Sequence, residues 1–344
     1  MSDTTPAYYG ADAVGPFLTW PLVNEAVESA LKAVVKSSPA LTAQPRRTFT
    51  PIGSQSVQDQ GLLLTMPAFV GNYETSSRGG SSTLACKLVT SFSGNAQRQP
   101  PLPSILAHVL VFSHQTGQLA AIMEATDLTT RRTVAASLVS TKYLYFRRFG
   151  PDAEVTRPIT VAIVGCGVQG QMHALAFCQS FRVRKLLCNN RSRAKAEELA
   201  KLIGLEVGGQ AVEVCESSRE ACHEADVICV ATFAKEPLIH SQDLKPSGGV
   251  HINAVGAGEI HFSEVAPSVY RRSKVYVDCY ANAEAELVGL PAPITAEVGE
   301  VILSKDYPKE QDITVFQSMG MASEDACVAQ AVLDAISAGK DKDE

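Results

Sequence analysis

The 344-residue chain carries a formal net charge of −6, with 45% hydrophobic and 19% charged residues. This acidic balance argues against nucleic acid or an anionic membrane as the main partner, and no run of about 18 apolar residues is present to span a bilayer. The length exceeds one ordinary core and predicts two domains.

The first stretch with helical periodicity is FLTWPLVNEAVESALKAVVK, residues 17–36, in which Pro21 marks a helix start. Strand-like runs follow: RRTFTPI, GLLLTMPAFV and LACKLVTSF, then LAHVLVFSHQTGQLAAIME, where Gly117 separates two apolar runs and predicts a hairpin. Two polar segments rich in Gly, Ser and Pro, 71–82 and 93–103, read as surface loops able to serve as flaps over a site. TDLTTRRTVAASLVSTKYLYF reads as a helix capped near Thr126 or Asp127, and RRFGPDAEVTRP as a turn-rich linker. Beyond it the apolar runs TVAIVG, KLLCN, DVICVAT, GVHINAV and KVYVDCY alternate with polar helical stretches such as SRAKAEELAKLIG. That alternation is the signature of βαβ units and a parallel sheet covered on both faces, so the fold class is α/β.

Within this second region Gly165, Gly167 and Gly170 form G-x-G-x-x-G directly after an apolar strand and before a helical run. The context on both sides is what the dinucleotide fingerprint requires. Gly165 permits the tight turn, Gly167 lets backbone approach a pyrophosphate, and Gly170 allows helix and strand to pack closely. Val168 and Gln169 would offer N–H groups at the helix N-terminus to the phosphates. The next strand ends at Asn189 and Asn190, with Arg191, Ser192 and Arg193 following and no acid to accept from a ribose 2′-hydroxyl. Asn190, Arg191 and Ser192 supply donors and positive charge instead, which predicts NADP(H) in preference to NAD(H); the alternative is that Arg191 and Arg193 merely start a solvated helix, Arg193 above all.

Three cations stand in apolar settings: Arg47 in TAQPRR, Lys87 in STLACKLVTSF and Arg132 in TTRRTVAAS. An uncompensated buried charge is expensive, so these side chains call for an anion. With no matching acid close in sequence, that anion is either a ligand carboxylate or an ion-pair partner such as Glu124, Asp127 or a distant acid. The nine cysteines include no C-x-x-C pair and read as reduced, mostly buried thiols of a cytoplasmic protein. His108, His114, His173 and His251 show no metal-ligand spacing, so no metal is expected, and Glu297 with Glu300 fits a helix start.

These motifs taken together resemble the ornithine cyclodeaminase/mu-crystallin family. VGCGVQGQMHALAF, CKLVT, TTRRTVAAS, QPRRT, CNNRSRAKAEELA, HINAVGAG, VYVDC, ITAEVGEVI and TVFQSMGMASEDACVA match its pattern in order, from about residue 10 to 335. The resemblance implies a Rossmann-type doubly wound NAD(P)-binding domain, 150–317, inserted into a second α+β domain of residues 1–149 and 318–344 that binds substrate and forms a homodimer. It further implies that Arg47, Lys87 and Arg132 meet a substrate carboxylate beside the nicotinamide, and that Thr232, Val255, Ser318 and Met319 line the cofactor crevice.

Departures from the family pattern bear on the activity. Where ornithine cyclodeaminases carry an Asp after the strand end, this chain has Gly258 and then Glu259, and it has no acid in GLLLTMP. A family His is replaced by Ile105, and His108 lies too far along to take its place. These losses point toward the mu-crystallin branch, which resembles NADPH-dependent ketimine reductases. The expected activity is reduction of the C=N bond of a cyclic 2-carboxy imine of the piperideine or pyrroline type. The alternatives are an ornithine cyclodeaminase, an alanine or N-alkyl amino-acid dehydrogenase, and a crystallin-like small-ligand-binding protein holding NADPH with little turnover.

Overall fold

The computed structural model describes residues 5–53, 60–75, 79–256 and 260–343. In chain order its elements are β1 (Ala7–Tyr9), α1 (Ala11–Val14), α2 (Trp20–Val34), β2 (Leu41–Ala43), β3 (Thr48–Ile52), β4 (Gly61–Tyr73), β5 (Ser81–Ser91), β6 (Ile105–Phe112), β7 (Leu119–Glu124) and α3 (Thr126–Leu144). There follow α4 (Ala153–Thr156), β8 (Ile159–Val164), α5 (Val168–Ser180), β9 (Val183–Asn189), α6 (Arg193–Glu206), β10 (Val212–Val214), α7 (Ser218–His223), β11 (Val227–Val230), β12 (His251–Ala254), α8 (Pro267–Tyr270) and β13 (Lys274–Val277). The chain ends with α9 (Tyr280–Glu286), β14 (Ile294–Glu297), α10 (Val298–Ser304), β15 (Thr314–Gln317) and α11 (Ala322–Asp343).

Two compact units result, 1–132 with 321–344 and 133–320. The sequence expectation placed the junctions at 149/150 and 317/318. Helix α3 runs on through 132/133, and RRFGPDAEVTRP is no loose linker. Arg148 and Ala153 are buried, Ala153–Thr156 is helical, and Arg147 grips Glu154 at 2.6 Å.

The first unit is built on a mostly antiparallel sheet of order β1-β7-β6-β5-β4-β2, with β3 also pairing β4. Strict alternation along β5 decides its two faces. Thr83, Ala85, Lys87 and Val89 are buried, whereas Leu84, Cys86 and Leu88 are half-buried. Across the ladder Lys87 lies in one row with Met66, Val109 and Met123. The long helix α11 packs on this inner face, and α2 lays Val23, Val27, Ala30 and Leu31 against α11 and the sheet. The expected hairpin is present, with Gly117 at φ 75 between β6 and β7. Segment 71–82 is not a free loop at its ends. Gly71–Tyr73 finish β4, Ser81 and Ser82 begin β5, and residues 76–78 lie outside the described set. Segment 93–103 is tied down by the buried Asn95, whose Nδ2 donates to Pro103 O at 2.8 Å.

The second unit is an all-parallel sheet of order β10-β9-β8-β11-β12-β15-β13-β14. Its strands β8, β11, β12 and β15 are buried at every position, which explains their continuous apolar runs. Strand order reverses between β8 and β11, the switch point outside whose carboxyl ends open α/β sheets bind nucleotides. Among the described residues no helix is long and apolar enough to cross a membrane.

Candidate active site

The Gly-rich turn leaves β8 and enters α5. Gly165 takes φ 98, and a Cβ there would lie 2.5 Å from Ala231 O. At Gly170 a Cβ would sit 1.8 Å from Gly165 O, so helix and turn touch backbone to backbone. At Gly167 nothing lies within 4 Å of the Cβ position, the open space that a pyrophosphate approaching the backbone would require. The first bond of the helical ladder runs from Gln171 N–H to Gly167 O. The N–H groups of Val168, Gln169 and Gly170 therefore precede the ladder and point out of the helix N-terminus. Val168 is exposed, and Gln169 O accepts from the ring of His173, itself buried and bonded to Ser137 Oγ at 2.9 Å. These residues fit a dinucleotide.

At the end of β9 the three expected contacts separate. Asn190 is turned inward: its Oδ1 accepts from Cys166 N at 3.0 Å and its Nδ2 donates to Ser192 O at 3.0 Å, so it braces the Gly-rich turn. Arg193 is held by Glu197 and Glu216, the solvated helix start foreseen as its other reading. Arg191 and Ser192 are exposed, and Arg191 makes no ion pair among the described residues.

Across the switch point a residue not singled out from sequence organises the strand ends. Glu264, 2% exposed, accepts from Thr232 N at 2.6 Å, Thr232 Oγ1 at 2.5 Å and Gly256 N at 2.8 Å. Burial raises its carboxyl above the usual range, against those hydrogen bonds. Thr232 is thus fixed, and Val255 follows β12 with its N–H on Val230 O. Ser318 and Met319 lie in the turn after β15, where Asp278 Oδ2 accepts from Met319 N at 2.9 Å and Gly320 N at 2.7 Å. Gly258 and Glu259 lie outside the described residues.

In the first unit the structure brings Lys87 and Arg132 together and bears out the distant-acid alternative, with neither Glu124 nor Asp127 as the partner shown. Lys87, 1% exposed, has its Nζ 2.7 Å from Asp325 Oδ2. Arg132 Nε donates to Asp325 Oδ1 at 3.0 Å and its Nη1 to Glu324 Oε2 at 3.2 Å. Both acids open α11, 193 residues from Arg132 in the case of Asp325, which is why local sequence showed no partner. Arg47, half-buried between β2 and β3, adds its charge to the field at Lys87. Burial and then Arg132 lower the Lys87 ammonium to about 8, with Asp325 pulling the other way. A lysine so poised can exchange a proton near neutral pH. The one sequence signal for Asp325 and Glu324 is a pair of acids, SED, at the start of the last helix in a chain with surplus cations upstream.

The remaining candidates are structural. His173 and His251 are fully buried and held neutral by burial, at about 4 and about 3. Glu297 and Glu300 form the capping box of α10. All nine cysteines are free, seven of them buried.

The model of the ornithine cyclodeaminase/mu-crystallin family matches residues 22–340. The chain is 33% identical over 339 residues to ketimine reductase mu-crystallin of Rattus norvegicus, covering 97% of this chain and 99% of that protein. It is 30% identical over 321 residues to a Δ1-pyrroline-2-carboxylate reductase of Bacillus cereus, covering 90% of each. Among solved structures, that of Thermococcus litoralis Δ1-pyrroline-2-carboxylate reductase in complex with NADH and L-proline superposes with a TM-score of 0.76 at 27% identity, covering 97% of this chain and 98% of that one.

Proposed function

From the premise that this chain belongs to the ornithine cyclodeaminase/mu-crystallin family, we propose that it is a nicotinamide-dependent oxidoreductase reducing the C=N bond of cyclic 2-carboxy imines to cyclic amino acids. The observation that carries this reading is a buried lysine and arginine gathered on one carboxylate, in a chain whose other unit presents a dinucleotide turn. In this reading Arg47 and Arg132 bind the substrate carboxylate and fix the ring's orientation. Lys87 holds the proton for the imine nitrogen. When bound, the reduced nicotinamide supplies the hydride that adds to the imine carbon. The C=N double bond becomes a C–N single bond carrying one new C–H and one new N–H, and Lys87 regains its proton from water. Orientation of this kind removes the entropy barrier of bringing reactants within about 3–3.5 Å.

NADPH is favoured over NADH in this proposal because Arg191 and Ser192 present donors at the end of β9, where a carboxylate would repel a 2′-phosphate. A homodimer is part of the same reading. The face of the first sheet opposite α2 and α11 carries Pro67, Phe69, Leu84, Leu88, Leu110 and Ile122, all half-buried in the single chain. Apolar rows on both sides of an antiparallel sheet fit burial against a second copy.

The test is NADPH oxidation with piperideine-2-carboxylate and pyrroline-2-carboxylate, by wild type and by Lys87→Ala and Arg132→Ala. Turnover by wild type with losses of 10²-fold or more in kcat/KM in each variant is expected. Undiminished turnover in both variants would overturn the assignment. Ammonia release from ornithine would favour the cyclodeaminase alternative.

A further inference from the structure

Asp325 takes no part in the scheme above, yet it occupies the middle of the cation cluster. It is 1% exposed, sits in the first turn of α11, and meets Lys87 Nζ at 2.7 Å with one oxygen and Arg132 Nε at 3.0 Å with the other. Its two oxygens therefore serve cations from different elements, Lys87 from β5 and Arg132 from α3. Lys87 is flanked in its row by Met66, Val109 and Met123. Arg132 is also engaged by Glu324, whose Oε2 accepts from Nη1 at 3.2 Å and from Met321 N–H at 3.3 Å.

We infer that Asp325 is a positioning residue of the proposed reduction, a single carboxylate that holds the Lys87 ammonium and the Arg132 guanidinium in one fixed arrangement. This rests on the function proposed above. The charged groups that face Lys87 are Arg47 between β2 and β3, Arg132 from α3 and Asp325 from α11. Two are cations that favour loss of its proton, and Asp325, 2.7 Å from Nζ, is the anion in direct contact that opposes them. A carboxylate shared between a proton donor and a substrate anchor couples the two: the pull that keeps Lys87 charged also keeps Arg132 in the orientation that receives the carboxylate.

The experiment compares wild type, Asp325→Asn and Asp325→Glu. Asparagine keeps the shape and loses the charge. The alkaline limb of kcat/KM against pH, which the proposal assigns to the Lys87 ammonium lowered to about 8, is expected to move down by one unit or more in Asp325→Asn, a loss of about fivefold or more at pH 8 and about tenfold or more above it that is partly recovered at low pH. Asp325→Glu is expected to bring the limb back toward wild type. The Lys87 Nζ titration, followed by NMR of ¹⁵N-lysine-labelled protein without substrate or cofactor and assigned by its absence in Lys87→Met, is expected to move in the same direction. An unchanged limb and an unchanged Nζ titration in Asp325→Asn overturn the inference. If Asp325→Asn does not fold, Lys87→Met with Asp325→Asn replaces it and is compared with Lys87→Met alone. In that comparison a further loss confined to KM reflects the hold on Arg132 and supports the inference, whereas a further tenfold loss in kcat refutes action through Lys87. Should wild type reduce no ketimine, the functional reading fails, while the Nζ titration still decides the role of Asp325.

Discussion

Two alanine substitutions in the Gly-rich turn, at Gly167 and at Gly170, separate nucleotide contact from packing. At Gly170 the new methyl would lie 1.8 Å from Gly165 O, 2.9 Å from Gly165 C and 3.3 Å from Ile163 Cγ2. Ordinary carbon contacts fall near 3.5 Å, so α5 and the turn must part by about 1.5 Å. Overpacking of this kind costs about 1–3 kcal/mol, which in a unit of this size lowers Tm by about 3–10 °C. Gly167 has an ordinary φ of −76 and nothing within 4 Å of the Cβ position. Alanine there leaves Tm at or slightly above wild type, because it restricts the unfolded chain without strain. Its methyl would instead occupy the space kept for the pyrophosphate. A loss of about 10²-fold in NADPH affinity, about 2.7 kcal/mol, is expected for Gly167→Ala. Calorimetric titration of NADPH and thermal melts of both proteins provide the check. A Gly167→Ala variant that binds NADPH like wild type, or melts as early as Gly170→Ala, contradicts this division of labour.

Other consequences are open to direct measurement. Arg191→Ala should weaken NADPH by about tenfold, the worth of one charge-assisted phosphate contact, with NADH unaffected; equal losses for both cofactors would remove Arg191 from the 2′-phosphate. His173 is held neutral at about 4 by burial, below its unfolded value near 6.5, so its contribution to stability is fully present above about pH 6.5 and is lost as pH falls toward 4. At about 1.4 kcal/mol per unit this is of order 3 kcal/mol, with His251 acting in the same direction, and calorimetry should find Tm falling between pH 7 and 5; a flat Tm speaks against both assignments. Leu88→Glu places a charge on the outer face of β5 and should yield monomers by light scattering, whereas a wild type already monomeric would end the dimer proposal.

Much of the architecture is local in origin and was readable from residue order. STLACKLVTS reads as a strand with Lys87 flanked by apolar residues, and the continuous apolar runs of β8, β11 and β12 announce a covered parallel sheet. The turn from Gly165 to Gly170 likewise carries its own geometry, because positive φ and close backbone approach leave glycine little competition. Family membership follows from the same motifs, now matched across residues 22–340. Boundaries and loops were read less well. RRFGPDAEVTRP looked like a linker because Gly150 and Pro151 mark turns, but the buried Arg148 finds partners in Asp312 and Thr314 that no local pattern discloses.

Charge compensation shows the division most clearly. Local sequence sufficed to state that Lys87 and Arg132 are cations in apolar surroundings and need an anion, since burial and period are properties of short segments. It could not say that Asp325 is that anion, because nothing in a ten-residue window records which helix will cover a sheet face. The same holds for Asn190, turned from nucleotide to Cys166 N, and for Glu264, which gathers Thr232 and Gly256 from separate strand ends. Hydrogen bonds and ion pairs of this kind act over a few ångströms between residues far apart in the chain, so they exist only once folding has brought their partners together.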